Sequence, residues 1–318
     1  LSIKSAAEPI YHPCQSNSRL QPPRPTLFIV LDSTIRLLVS ALARLIAGLP
    51  LPVVHGLGAA LGHLVYALSA QYRHKLQTML QIAGLDSPAL RRAAAAQAGR
   101  AALEMPWVWM RPSAQVLAKI APIDWSAFDA VDRAGKGVLL LTPHLGCFEV
   151  AARCRAAMAP ITVLYKPPRR AAMRILVESA RNVPGLMAAP ANLAGVRMLI
   201  RALRRGEVVG MLPDQVPDAG EGLWAPFFGR PAYTMTLPGR LAQASGAAVV
   251  LLIAQRLPRG RGWKIHVEPF SAAPDPHALN AAMEQLVRRF PDQYLWGYNR
   301  FKRPAGVAPA ASTTPSSP

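Results

Sequence analysis

An α/β fold, with a sheet covered by helices on both faces, is predicted by the alternation of two periods along this 318-residue sequence. Apolar runs of strand length stand at 137–142, 160–165, 207–212, 247–254 and 262–267. Helical periodicity lies between and after them at 146–157, 169–180, 192–204, 235–245 and 276–289. Strands and helices in turn are the pattern of crossover units that build such sheets. A second observation concerns what precedes this region. Helices are expected at 71–82, at 87–105 (alanine-rich) and at 113–119, and ahead of them stand two long apolar stretches.

The first of these, Thr26 to Leu49, is long enough to span a bilayer at about 20 residues, but it carries Asp32, Arg36 and Arg44. Asp32 and Arg36 are one helical turn apart, and Arg44 lies about 80° round from Arg36 at 100° per residue, so all three share one broad face. A charged stripe on an apolar helix favours lying in the membrane interface over spanning it. After Pro50 and Pro52 a second apolar helix, about 53–70, is interrupted by His55 and His63. Its Gly56, Gly58, Ala59, Ala60 and Gly62 suit close helix packing. The alternative for both stretches is a helical hairpin within the core. The chain thus divides into a disordered or mis-started tail (1–25), a membrane-associated helical segment (26–70), a main domain (71–303) and a low-complexity, disordered tail (304–318). Residues 1–25 lack the ordered regions of a secretory signal.

Apolar residues make up 51% of the chain and charged residues 17%, with a formal charge of +19. That charge fits nucleic acid, an anionic membrane surface or an acidic soluble partner. The basic residues are scattered through apolar sequence and no zinc finger or RNA-recognition box is present, which argues against nucleic acid. Cys14, Cys147 and Cys154 form neither a metal-ligand spacing nor a disulfide framework, so a reducing compartment is expected. There is no G-x-G-x-x-G, Walker A or H-E-x-x-H box, so neither a nucleotide cofactor nor a metal is expected.

Chemistry is concentrated at His144-Leu-Gly-Cys-Phe-Glu149, directly after the apolar run ending at Thr142. Histidine is the side chain suited to taking a proton from a hydroxyl near neutrality, and a neighbouring carboxylate can hold its tautomer. The run reads as a buried strand and Gly146 onward as a helix start, so His144 falls on the loop and Glu149 in the first turn. The alternative is a loop histidine beside a solvated glutamate. Cys147, inside this box, reads as a small packing residue, with a thiol nucleophile as the alternative. Further boxes follow: Gly206 to Gln215 with Leu212-Pro-Asp-Gln, Trp224 to Ala232 with Thr234, and Pro291 to Lys302.

In this order and spacing the boxes resemble the lipid A biosynthesis late acyltransferases, the lauroyl/myristoyl transferase family, from about Leu31 to Arg303. The resemblance implies a glycerolipid-acyltransferase-like α/β fold, a mixed sheet flanked by helices, with residues 71–303 as the acyltransferase domain. It implies acyl transfer from acyl carrier protein to a hydroxyl of a glucosamine-based lipid A precursor, at the cytoplasmic face of the inner membrane and on its anionic surface. His144 is then the general base and Glu149 the acid that steadies the imidazolium. The acceptor hydroxyl attacks the thioester directly, since no G-x-S-x-G elbow supplies a nucleophile. Arg181 takes the family's essential arginine position, acting on a phosphate or the oxyanion, and Asp214 matches the family's aspartate at a strand end, with a turn-capping aspartate as the alternative. Lys166, where the family has arginine, and Arg169 and Arg170 are expected to meet substrate or carrier protein. Trp296, Arg300 and Lys302 are expected to form an interfacial platform for a phosphorylated glycolipid. The segment Phe227 to Ala232 reads as a packed hairpin or an acyl-pocket wall, and Arg197, Arg201, Arg204 and Arg205 as the basic surface of one helix. The wider glycerolipid acyltransferases share the H-x4-D/E box, so lysophosphatidate is the alternative acceptor. A basic, non-catalytic membrane scaffold is the alternative to an enzyme.

Overall fold

A computed structural model describes residues 26–166 and 183–310, with the side chains of 26–36 excepted. Helices α1 (Thr26–Gly48), α2 (Leu51–Leu68), α3 (Ala70–Ile82), α4 (Pro88–Met110), α5 (Ser113–Leu117) and α6 (Ser126–Asp132) precede the first strand. There follow β1 (Val138–Leu141), α7 (Phe148–Ala156), β2 (Ile161–Tyr165), β3 (Leu186–Pro190), α8 (Leu193–Arg204) and β4 (Val208–Met211). The hairpin β5 (Gly222–Phe227) and β6 (Arg230–Met235) leads to α9 (Leu237–Ser245), β7 (Ala248–Arg256), β8 (Trp263–Phe270) and α10 (Pro276–Arg289). The helix expected at 169–180 lies outside the described residues.

The main sheet has the order β3-β2-β4-β1-β7-β8. Its first five strands are parallel and β8 returns antiparallel to β7. The sheet is therefore mixed, as expected. Because side chains alternate along a strand, the central strands feed two cores. Leu139, Leu141, Val209, Met211, Val249 and Leu251 face one side, and Val138, Leu140, Val208, Val250 and Leu252 face the other. Near-continuous apolar runs such as Val138–Leu141 are what a strand buried on both faces requires. The strand β3 escaped the sequence reading because Leu186–Pro190 is an edge strand that is half exposed and ends in proline.

Phe227 to Ala232 forms the packed hairpin. Phe228 and Gly229 both have positive φ (48° and 71°), the signature of a two-residue type I′ turn. Asn280 of α10 donates to Pro226 O and to Thr234 Oγ1, both at 2.9 Å, which seats the hairpin on that helix.

Both N-terminal helices rest on α4. Helix α2 buries Leu51, Val54, His55, Gly58 and Gly62, a single stripe at helical spacing. A Cβ on Gly62 would lie 2.0 Å from Ala95 O, and one on Gly99 would lie 1.9 Å from Gly58 O, so the two backbones touch through glycine. Arg111 ties down the end of α1 by donating to Ala47 O at 2.7 Å and Gly48 O at 3.1 Å. The opposite faces stay apolar and open: Leu37, Leu38, Leu42 and Leu45 on α1, and Val53, Leu57, Leu61, Leu64 and Leu68 on α2, are all exposed. Among the described residues, Leu51–Leu68 is the helix long and apolar enough to cross a membrane.

Candidate active site

The register of two parallel strands builds the site. Leu141 of β1 pairs with Met211 of β4, and Thr142 N continues the ladder to Met211 O at 3.1 Å. Both chains then run Thr142-Pro143-His144 and Leu212-Pro213-Asp214. Each proline ends its strand by removing a donor. His144 and Asp214 thus stand three residues past a paired position, side by side at the carboxyl edge of the sheet, where ligands of α/β folds bind.

They meet twice. His144 N donates to Asp214 Oδ2 at 2.9 Å, and His144 Nδ1 lies 2.8 Å from Asp214 Oδ1. The Asp214 side chain is 3% exposed. Burial alone would raise its carboxyl, but His144 and, further off, Arg300 outweigh burial and hold it below the usual carboxylate range. An ionised carboxylate can only accept, so Nδ1 carries a proton, and in the neutral imidazole Nε2 keeps the lone pair. Gln215 Nε2 sits 3.0 Å from that Nε2. The buried Tyr294 hydroxyl also reaches Asp214, and burial and the Asp214 charge push its pKa well above the usual phenol range. This carboxylate is the correction to the expected pairing: Asp214, not Glu149, holds the imidazole. Nor does Asp214 serve as the turn cap that was its alternative reading.

The loop after His144 is clamped by backbone bonds. Leu295 N donates to His144 O at 3.0 Å, Gly146 N to Gln293 O at 3.1 Å, and Cys147 N to Ala254 O at 2.8 Å. Gly146 has φ 63°, and a Cβ there would lie 2.1 Å from Ala254 O, so this close turn needs glycine. The Phe148 ring lies 4.9 Å from the imidazole, centroid to centroid. Glu149, in the first turn of α7, lines a narrow cavity with Thr142, Phe148, Ile161, Val163, Gly210 and Leu212. At about 30 Å³ it has room for a water or two, so a fatty chain entering here must spread its walls. Burial and the Glu104 charge push the Cys147 thiol well above its ordinary range, which supports packing over nucleophilic duty.

The other expected residues are spread out. Lys166, past β2 on the same sheet edge, is exposed and pairs with Asp218 at 2.8 Å. Arg169, Arg170 and Arg181 lie outside the described residues. Trp296 and Arg300 are 4% and 2% exposed, which corrects the expectation of an interfacial platform. Trp296 Nε1 donates to Pro291 O at 2.6 Å. Arg300 spends its guanidinium on Tyr233 O (2.8 Å), Thr234 Oγ1 (2.7 Å) and Asn280 Oδ1 (3.1 Å). The aromatic-plus-basic pattern was read as surface, but its members are the cement between the hairpin and α10. Lys302 alone of the three is exposed.

Sequence reasoning passed over Gln215 and the buried pair Glu104–Arg256 behind the loop. The available signal was a single carboxylate in the alanine-rich helix and an arginine closing the apolar run of β7.

Comparison with known proteins gives the family. The family model described as bacterial lipid A biosynthesis acyltransferase matches residues 22–303. The chain is 27% identical over 279 residues to a lipid A biosynthesis lauroyltransferase of Escherichia coli (strain K12), covering 83% of this chain and 90% of that protein. It is 27% identical over 220 residues to a lipid A biosynthesis palmitoleoyltransferase of the same organism, covering 65% and 70%. A lipid A biosynthesis acyltransferase of Haemophilus influenzae is 25% identical over 293 residues, covering 85% and 91%. Matched along most of its length by one family model, the chain belongs to the bacterial lipid A biosynthesis acyltransferases and is an acyltransferase enzyme.

Proposed function

We propose that this enzyme moves a fatty acyl chain from acyl carrier protein to a hydroxyl of a glucosamine-based lipid A precursor, with His144 as general base. The observation that carries the mechanism is the doubly bonded His144–Asp214 pair at the carboxyl edge of β1 and β4. Asp214 fixes the tautomer, so Nε2 is the basic atom once the acceptor hydroxyl displaces the Gln215 amide. The hydroxyl oxygen attacks the thioester carbon and its proton passes to Nε2. Asp214 stabilises the resulting imidazolium without taking the proton itself. Collapse of the tetrahedral adduct breaks the carbon–sulfur bond, and the imidazolium proton goes to the departing thiolate. Glu149 belongs to the cavity wall and acts on substrate placement. Arg181 is assigned the phosphate or oxyanion, and Lys166, Arg169, Arg170 and Lys302 the charged groups of donor and acceptor.

We place the enzyme at the cytoplasmic face of the inner membrane, held by the open apolar faces of α1 and α2. Deep insertion is not needed for that: an apolar face over a basic body binds anionic lipid in the interface plane. Leu42→Glu combined with Leu61→Glu changes two exposed positions, so folding should be kept. The variant should shift from membranes to the soluble fraction, and alkaline or high-salt washing should strip part of the unaltered protein. Undiminished sedimentation of the variant with vesicles of anionic lipid would contradict this attachment.

The donor is tested by salt. Acyl carrier protein is acidic and this chain carries +19, so encounter is steered by charge and fades as the screening length falls from about 10 Å at 0.1 M to about 3 Å at 1 M. The rate at sub-saturating donor should fall steeply over that range, and charge reversal at Arg169 and Arg170 should flatten the dependence. Acyl-coenzyme A should serve poorly. Equal use of acyl-coenzyme A, with a rate indifferent to salt, would point to a coenzyme A-dependent glycerolipid acyltransferase instead.

A further inference from the structure

Behind the catalytic loop lies a buried charge pair that the proposed chemistry does not use. Glu104 of α4 and Arg256, the last residue of β7, are both almost fully buried. Arg256 Nε donates to Glu104 Oε2 at 2.9 Å and its Nη2 to Glu104 Oε1. The same carboxylate meets His55 Nε2 of α2 at 3.1 Å and Trp263 Nε1 of β8 at 3.3 Å. The guanidinium also donates to Gln97 Oε1 at 2.9 Å and to Gly146 O at 3.2 Å. The backbone of Arg256 is locked in both directions to the Gln293 side chain, at 2.8 and 3.0 Å. Gln293 O in turn accepts from Gly146 N. Both polar groups of Gly146, two residues after His144, are therefore held by Arg256, one directly and one through Gln293.

Burying an ion pair is a poor way to gain stability, since well-packed apolar residues of the same volume usually do as well. Apolar residues could not donate to the Gly146 carbonyl, and a lysine could not fork between a carboxylate and that carbonyl. We infer that Arg256, oriented by Glu104, is a positioning residue that sets the His144 loop for acyl transfer. Through His55 it also joins the loop to α2, whose opposite face is apolar and exposed. This rests on the reading of His144 as the base.

The test measures steady-state transfer from lauroyl-acyl carrier protein to a lipid A precursor, with unfolding of each variant followed in parallel. Arg256→Lys keeps the buried charge beside Glu104 but loses the fork. It should lower kcat about 10-fold or more, the usual cost of a misplaced catalytic group, with KM for both substrates nearly unchanged. Gln97→Leu removes one bond to Arg256 and the bond to Asp292 but leaves Gly146 held. It should lower stability with kcat kept within about two-fold. Gln293→Met breaks the second arm near the surface without uncovering a charge, and should lower kcat as Arg256→Lys does. It decides the matter if Arg256→Lys does not accumulate. A kcat within two-fold of the unaltered enzyme in Gln293→Met, or losses of kcat that track stability across all three variants, would overturn the inference. If the unaltered protein transfers no acyl chain, it is the proposed function that fails. Activity in the unaltered protein matched by the variants removes only the positioning role.

Discussion

His144→Ala should lower acyl transfer at least about 100-fold, the scale of a lost general base, with folding and membrane binding intact. Asp214→Asn should come close to it, for a reason specific to this geometry. Asp214 accepts from both the backbone N–H and the ring Nδ1 of the same residue. Asparagine offers one oxygen and one NH₂ group. Either the backbone N–H loses its acceptor, or the ring turns to its other tautomer and Nε2 carries the proton, which disables it as a base. Glu149→Gln should be far milder than Asp214→Asn, since no bond to the imidazole is at stake, and Glu149→Ala should raise KM more than it lowers kcat. Rates measured with saturating donor and acceptor check the ordering. An Asp214→Asn enzyme with full kcat would remove the basis for the tautomer argument.

The second large effect is on stability. Gly99→Val places branched carbons where a Cβ alone would lie 1.9 Å from Gly58 O and 2.6 Å from Gly62 N. Backbone atoms cannot swing aside, so α2 must be pushed off α4. The cost should reach about 3 kcal/mol, the upper part of the range for overpacked sites. Gly56→Ala is the control: nothing lies within 4 Å of a Cβ there, and the gain in helix propensity should stabilise by about 1 kcal/mol or less. Urea denaturation of the two variants separates a glycine required for contact from one that is merely small. Equal effects would mean that the α2–α4 contact is not as close as the backbone places it.

Much of the fold could be read from the chain because its strong signals are local. The five expected strands and the expected helices among the described residues form, with the helix expected at 87–105 running on through Pro106 to Met110, since buried parallel strands are continuous apolar runs and the helices carry caps such as Ser87 and Asp275. What failed was what depends on distant partners. The helix Ser126–Asp132 and the half-exposed edge strand Leu186–Pro190 are too short to show a period. In the site, the sequence puts His144 and Asp214 each after a strand and Glu149 in the first turn of the next helix, and it pairs His144 with Glu149 by nearness in sequence. The sheet order decides otherwise: β4 lies next to β1, so the residue 70 positions away meets the imidazole. Arg300 and Trp296 were misplaced for a related reason, because a sequence rich in both rings and charge reads the same whether it faces water or binds a hairpin to a helix.

The central claim is acyl transfer to a glucosamine-based lipid through His144 and Asp214, and one mass spectrum tests it most directly. Purified enzyme is incubated with lauroyl-acyl carrier protein and an equal mixture of a lipid A precursor and lysophosphatidate. The account predicts that the lipid A precursor gains the mass of one lauric acid less one water, that lysophosphatidate is unchanged, and that Asp214→Asn abolishes the gain. Acylation of lysophosphatidate in its place, or an unchanged product peak with Asp214→Asn, would contradict it.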